Sequence, residues 1–102
     1  MLKGLLDGCL LALIAQGETY GYEITKKLEE HHFSVVSEGS IYPVLMRLQK
    51  NEFVTTAMRK SPNGPKRKYY NITEKGVEEL KTFKERWGEL SQGVTSLLKE
   101  GE

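Results

Sequence analysis

Cysteine, histidine and proline are scarce in this chain, with one, two and three copies among 102 residues. A single cysteine excludes an internal disulfide, and without any metal-ligand spacing it is typical of an intracellular protein. His31 and His32 are adjacent, so on a helix they would point about 100° apart and make a poor ligand pair. The chain also shows no nucleophile paired with a base and no glycine motif that cradles phosphate. We therefore expect neither an enzyme nor a cofactor.

A long hydrophobic run is likewise absent, which bears on targeting and membrane insertion. Lys3 precedes an apolar run from Cys9 to Ala15, but Asp7 interrupts the N-terminal stretch and the run is far too short to span a bilayer. No membrane partner is therefore expected, and the cytoplasm is the predicted location. Apolar residues at helical spacing instead predict a buried first helix that ends near Gly17.

The charges nearly balance overall, at net +1 from 15 basic and 14 acidic residues, but they are unevenly distributed. The stretch RKSPNGPKRKYY, residues 59–70, contains five basic residues and no acidic one, whereas residues 73–102 contain five basic and seven acidic residues. A local cluster of positive charge on an otherwise neutral protein is expected where a protein binds a nucleic-acid phosphate backbone. A solvated hairpin tip is the other interpretation of such a run.

Two amphipathic patterns follow the first helix. In ETYGYEITKKLEEHH, Thr19 is placed to cap a second helix whose apolar positions Ile24 and Leu28 lie four apart. In SIYPVLMRLQKN, a third helix has one apolar face: Ile41, Val44, Leu45 and Leu48. The opposite side of that helix carries polar, charged and bulkier exposed side chains: Ser40, Tyr42, Pro43, Met46, Arg47 and Lys50.

Pro43 and Tyr42 define the start of the third helix. Proline lacks an amide hydrogen and is tolerated in a first turn, so the helix is predicted to begin a few residues earlier, with Ser37 or Ser40 as its cap. An exposed tyrosine and a proline in a first turn suit a helix N-terminus that presses against another surface.

From Phe53 the hydrophobic period changes from that of a helix to that of a strand. FVTTAMRK predicts one strand, SPNGP a turn and RKYYNIT a second strand, with Asn63-Gly64 as the hairpin signal. Tyr70 and Ile72 alternate onto one face and are expected in the core. Three helices followed by a basic hairpin predict a mainly α (α+β) fold, the winged helix-turn-helix. In such a fold the third helix enters a DNA major groove and the hairpin lies along the neighbouring backbone as the wing.

The chain resembles the PadR family of bacterial transcriptional regulators. The resemblance rests on YGYEI at 20–24, SEGSIYPVLMRLQKNEFV at 37–54 and GPKRKYYNITEKG at 64–76. It implies a homodimer that binds a roughly palindromic promoter site in double-stranded DNA and usually represses. It also implies a recognition helix over about Glu38 to Lys50 and a wing that contains Lys66, Arg67 and Lys68.

The roles of these DNA-facing side chains are predicted from their chemistry. Ser40 and Tyr42 are expected to donate hydrogen bonds to phosphates or bases, and Pro43 to pack against a sugar or a thymine methyl group. The cations are expected to neutralise phosphates: Arg47, Lys50, Lys66, Arg67 and Lys68. For the two on the helix, Arg47 and Lys50, contacts are expected only with the DNA backbone. The operator sequence itself does not follow from these residues.

The last segment, residues 73–102, is predicted to be a dimerisation helix that follows a DNA-binding domain at 1–72. Thr73 is a plausible cap, and apolar residues recur at spacings of three and four: Leu80, Phe83, Trp87, Leu90, Val94 and Leu97. Gly88 and Gly93 each cost about 1 kcal/mol of helix propensity relative to alanine. Packing of this helix and the first helix against their symmetry mates is favoured over packing within one chain. Two copies would then contact half-sites about 34 Å apart.

Two alternatives stay open at this stage. Trp87, the only tryptophan, is either an apolar filler or lines a cleft where a planar ligand stacks, together with Phe83 and its partner from the other subunit. The second interpretation gains weight because some PadR regulators respond to phenolic or other aromatic compounds. The whole domain could also bind protein instead of DNA, through the exposed face of Tyr42 and Met46. A strong salt dependence of binding would favour DNA.

Overall fold

A computed structural model describes residues 4–33 and 36–101; Lys3 therefore lies outside the described residues. The helices and strands follow one another in the order α1 (Leu5–Ile14), β1 (Thr19–Tyr20), α2 (Gly21–Glu30), α3 (Glu38–Lys50), β2 (Val54–Lys60), β3 (Lys66–Ile72) and α4 (Glu74–Glu100). The predicted sequence of three helices, a hairpin and a long C-terminal helix is confirmed. None of the described helices combines the length and apolar character needed to cross a bilayer.

The core forms where the apolar faces of the first three helices meet the sheet. Ile24 and Leu28 of α2 are buried, as are all four apolar positions predicted for α3. Leu10, Leu13 and Ile14 bury the predicted face of α1. Tyr70 of β3 is also buried, and Ile72 packs against the cluster at its edge. The hydrophobic periodicity therefore predicted correctly which side of each helix faces inward.

The sheet has three antiparallel strands, with β3 between β1 and β2. β1 pairs Thr19 with Tyr70 and Tyr20 with Tyr69. The predicted capping role of Thr19 is wrong, because this residue is extended in β1 and Tyr20 occupies the N-cap position of α2. The Thr19 hydroxyl instead donates to Oε1 of Glu23 at 2.6 Å.

The connection between β2 and β3 is the five-residue loop 61–65, which is the SPNGP turn predicted from the sequence. A two-residue type I′ turn at Asn63-Gly64 would need positive φ at both residues. Among the described residues only Gly17, His32 and Glu52 have positive φ. The hydroxyl of the buried Ser61 donates to the Pro65 carbonyl at 2.9 Å and closes the loop.

α3 has the predicted bounds, but its first turn differs from the prediction. Ser37 is the N-cap residue without a side-chain cap bond, and its Oγ lies 3.0 Å from Oγ of Ser40. Pro43 is the sixth residue of α3 and lies beyond the first turn. Because proline has no amide hydrogen, the Gly39 carbonyl lacks the bond that an interior residue would donate.

α4 begins as predicted, since the Thr73 hydroxyl accepts from the Gly76 amide at 3.0 Å. Leu80 is 7% exposed and belongs to the core of its own chain, so its placement on a dimer seam needs correction. Phe83 is half-buried and packs against the same core. The first three turns of α4 therefore anchor the helix to the core of its own chain. The longest dimension of the molecule is 54 Å.

Candidate nucleic-acid interface

A groove joins the first turn of α2, the exposed side of α3 and strand β3. Its volume is about 490 Å³, and its wall includes four tyrosines, one methionine and three consecutive cations. Tyr42 and Met46 come from α3, and Lys66, Arg67 and Lys68 come from β3. The fold thus places the predicted wing cations beside one predicted side chain of the recognition helix. Aromatic faces interleaved with positive charge suit a nucleic acid.

The wing carries its cations in an arrangement that an anion would stabilise. Strand register places Lys60 opposite Lys66 and Arg59 opposite Arg67. Like charges directly opposite one another destabilise a strand pair, so a bound polyanion would relieve this repulsion. The Arg67 guanidinium lies 4.6 Å from the ring centroid of Tyr20. That contact holds Arg67 at the groove edge while its side chain stays exposed.

Glu18, which was not predicted as a site residue, connects the wing to the segment before β1 through hydrogen bonds. Arg59 donates to both carboxylate oxygens of Glu18, at 2.7 and 2.9 Å, and Asn71 Nδ2 donates at 2.8 Å. These bonds lower the pKa of Glu18 and raise the pKa of Arg59. One exposed carboxylate therefore contacts both strands of the wing, and Arg59 already has an anionic partner.

Arg47 of α3 also has a carboxylate partner. Its Nε and Nη2 donate to Asp7 of α1 at 3.2 and 2.9 Å, and this pairing raises the pKa of Arg47. Arg47 and Lys50 do not line the groove, although both are exposed. Ser40 and Pro43 are exposed on α3 outside the groove wall. Of the eight predicted contact residues, the groove gathers Tyr42 and the three wing cations.

The Tyr42 hydroxyl is already engaged, which changes the role expected for it. It donates to Oε1 of Glu38 at 2.8 Å, and this bond raises the pKa of Tyr42. A Cβ atom at Gly21 would sit 2.8 Å from the same hydroxyl oxygen, so glycine gives this tyrosine its space. Glu38, not identified from the sequence as a site residue, therefore holds the tyrosine that was expected to contact DNA.

The outer part of α4 exposes large apolar side chains. Trp87 is 46%, Val94 47% and Leu97 70% exposed, whereas Leu90 is half-buried. Phe83 lines a cavity of about 190 Å³ with residues of α1 and α3, and Trp87 is not part of its wall. The predicted cleft includes a second subunit, so it stays a prediction. No group of three or more potential metal ligands occurs among the described residues.

Two known proteins are similar in sequence to this chain. It is 32% identical to an uncharacterized protein of Lysinibacillus sphaericus, over 99% of this chain and 94% of that protein. The negative transcriptional regulator PadR of Bacillus subtilis (strain 168) is 34% identical over 74% of this chain and 42% of that protein.

Solved structures of transcriptional regulators are also similar to this chain. A PadR-like transcriptional regulator from Bacillus cereus superposes with a TM-score of 0.84 at 54% identity, over 96% of this chain and 95% of that chain. Bacillus subtilis PadR in complex with operator DNA gives a TM-score of 0.71 at 30% identity, over 78% of this chain and 46% of that chain. The model of the transcriptional regulator PadR-like family matches residues 10–82. The chain belongs to the PadR-like family of transcriptional regulators.

Proposed function

We propose that this regulator binds double-stranded DNA as a homodimer and represses transcription from a roughly palindromic promoter site in the cytoplasm. The observation that carries the proposal is the groove in which Tyr42 of α3 lies beside Lys66, Arg67 and Lys68 of β3. A solved relative, Bacillus subtilis PadR, is bound to operator DNA. PadR of Bacillus subtilis (strain 168) also has the name of a negative transcriptional regulator, which supports repression.

The exposed face of α3 enters the major groove in this proposal. Ser40 and Pro43 face the DNA from the same helix as Tyr42, and the wing cations lie along the adjacent phosphates. Lys50 extends the backbone contact at the end of α3. Arg47 reaches a phosphate only by exchanging its partner Asp7.

The homodimer is proposed to form through the outer part of α4. Burial of a large apolar side chain contributes about 1.5–3 kcal/mol, and Trp87, Val94 and Leu97 are available for such burial. Leu90 completes the row, whereas Leu80 and Phe83 position the helix from within each chain. Two recognition helices held about 34 Å apart would fit successive major grooves on one side of the DNA.

A small aromatic effector is proposed to act at the same place. The half-exposed indole of Trp87 offers a flat apolar face near the axis of the proposed dimer. A planar compound that stacks there would alter the tilt of the two α4 helices and the spacing of the recognition helices. Quenching of the single tryptophan by phenolic acids, with a matching loss of DNA affinity, tests this step. An unchanged DNA affinity at saturating phenolic acid would contradict it.

The proposed function is tested by fluorescence anisotropy on DNA from the region upstream of the gene and on an unrelated duplex, at two salt concentrations. We expect tighter binding to the upstream DNA. Replacing Lys66, Arg67 and Lys68 together with glutamine should abolish that binding, and Tyr42→Ala should reduce the preference for the upstream sequence. The matched control replaces Lys81, Lys84 and Lys99 of α4 with glutamine. This variant should retain the binding to the upstream DNA and the preference for its sequence.

Binding to DNA also has to depend on salt in a defined way. The logarithm of the binding constant should fall linearly with the logarithm of salt concentration, by about 0.9 for each neutralised phosphate. Weak binding to both duplexes with little salt dependence would contradict DNA binding and would favour the protein-binding alternative. The exposed Met46, beside Tyr42 in the groove, would then be the place to look for a protein partner.

A further inference from the structure

Glu38 is an acidic side chain on a surface that otherwise carries positive charge. It is the first residue of α3, it is exposed, and it lines the groove with Lys66, Arg67 and Lys68. Within residues 4–33 and 36–101, none of the ion pairs includes Glu38. A carboxylate at this place repels phosphate, so it lowers DNA affinity unless it makes a favourable contact of its own.

The carboxylate of Glu38 is held in position by an uncharged donor. Tyr42, one helical turn later, donates its hydroxyl hydrogen to Oε1 at 2.8 Å. The close approach of the Tyr42 hydroxyl to Gly21 of α2 fixes the tyrosine from its other side. An ionised carboxylate accepts about four hydrogen bonds, and this bond occupies one of them. Glu38 therefore presents Oε2 as an oriented acceptor at the start of the helix.

The major groove offers two amino donors to such an acceptor, N4 of cytosine and N6 of adenine. The adenine amino group lies between two acceptors, N7 of the same base and O4 of the paired thymine, and both repel a carboxylate. The cytosine amino group has an acceptor on one side only, because the C5–H edge of the ring carries no lone pair. The N-terminal residues of a recognition helix are the ones that contact base edges.

We propose that Glu38 is a specificity-determining residue that accepts a hydrogen bond from N4 of one cytosine in each half-site. The proposal rests on the proposed function, because it needs α3 to enter the major groove. Tyr42 has a positioning role in it, by orienting the carboxylate. Glu38 thus contributes to the choice of sequence, whereas the wing cations contribute affinity for any sequence.

The test selects the preferred sites of the wild-type protein from a random duplex library and then measures binding to every single-base-pair variant of the selected site. One C·G pair per half-site should be required, with a loss of about 5- to 150-fold on replacement. Glu38→Gln should remove that requirement or shift it towards adenine, since glutamine pairs with N6 and N7 of adenine. Preferences at the other positions should persist. Tyr42→Phe should weaken discrimination at the same base pair, because it removes only the hydroxyl.

Glu30→Gln is the matched control, because it removes one exposed negative charge from the far end of α2. It should leave the preferred site unchanged. If Glu38→Gln tightened binding equally to every sequence, Glu38 would act only through charge repulsion and the inference would be overturned. A preferred site that Glu38→Gln leaves unaltered would overturn the inference while supporting the proposed function. A library from which no sequence is enriched would overturn both.

Discussion

Glu52→Gly is expected to stabilise the protein, because Glu52 has the left-handed conformation that favours glycine. Its φ is 64°, and it follows Asn51, the C-cap residue of α3. The Phe53 amide donates to the Leu48 carbonyl at 2.9 Å, and the Glu52 amide donates to the Gln49 carbonyl at 3.0 Å. These two bonds form the Schellman motif, in which the residue at the position of Glu52 is usually glycine.

The size of the effect follows from two opposing terms. The left-handed conformation costs a residue with a Cβ atom about 1–2 kcal/mol, and glycine removes that cost. Glycine loses about 0.5–1 kcal/mol more conformational entropy on folding, which offsets part of the gain. We expect a net gain of about 1 kcal/mol in the free energy of unfolding, or roughly 4–8 °C in Tm for a domain of this size.

Urea denaturation followed by circular dichroism, at one fixed protein concentration, measures this gain. Gln49→Gly is the matched control, because Gln49 is exposed within the same helix and should lose about 1 kcal/mol. Glu52→Ala should gain nothing, since alanine retains the Cβ atom. Equal losses from Glu52→Gly and Gln49→Gly would refute the assignment of a left-handed residue at position 52.

Three further predictions concern the core, the wing and the dimer. Gly76→Ala should destabilise the protein by about 1–3 kcal/mol, because its new Cβ atom would clash with the Phe53 carbonyl. Gly88→Ala should not destabilise it, because the space around Gly88 is open, and thermal unfolding of the two variants tests the difference. Glu18→Gln should lower stability at neutral pH but not at low pH. The depressed pKa of Glu18 means that its contribution is present above about pH 4.3 and is lost as the pH falls through the folded value, as urea midpoints at each pH would show. Leu97→Ala should raise the dimer dissociation constant at least about tenfold in sedimentation equilibrium, and an unchanged constant would remove Leu97 from the interface.

The features that sequence reasoning predicted correctly are those encoded over one or two helical turns. The bounds of α3 match those that the family resemblance implied, and its four buried positions were predicted because they repeat at helical spacing. Thr73 is a cap because its hydroxyl has to reach only as far as Gly76. The family resemblance is confirmed as well, and membership in a family of transcriptional regulators agrees with the prediction that the chain is not an enzyme.

Several of the features that it missed join residues distant in sequence. Asp7 and Arg47 are 40 positions apart, and Glu18 and Arg59 are 41 apart. β1 contains only two residues, and its pairing with β3 depends on where the wing folds back. Neither periodicity nor turn chemistry carries information about such contacts. The left-handed conformation of Glu52 was not predicted for a different reason, because no glycine marks the end of α3 in the sequence.

The two distant ion pairs change how the positive charge of this protein is to be counted. The sequence offers five cations per chain for phosphate contacts: Arg47, Lys50, Lys66, Arg67 and Lys68. In the structure Arg47 is neutralised by Asp7, and Lys50 lies outside the groove. Ten phosphate contacts per dimer would give a salt slope of about 9, whereas eight contacts, with Arg47 held by Asp7, would give about 7. A measured slope near 7 would show that the ion pair with Asp7 persists on DNA, and a slope near 9 would show that phosphate displaces it. Asp7→Asn should therefore steepen the slope only in the first case, because only then is Arg47 still held away from the DNA.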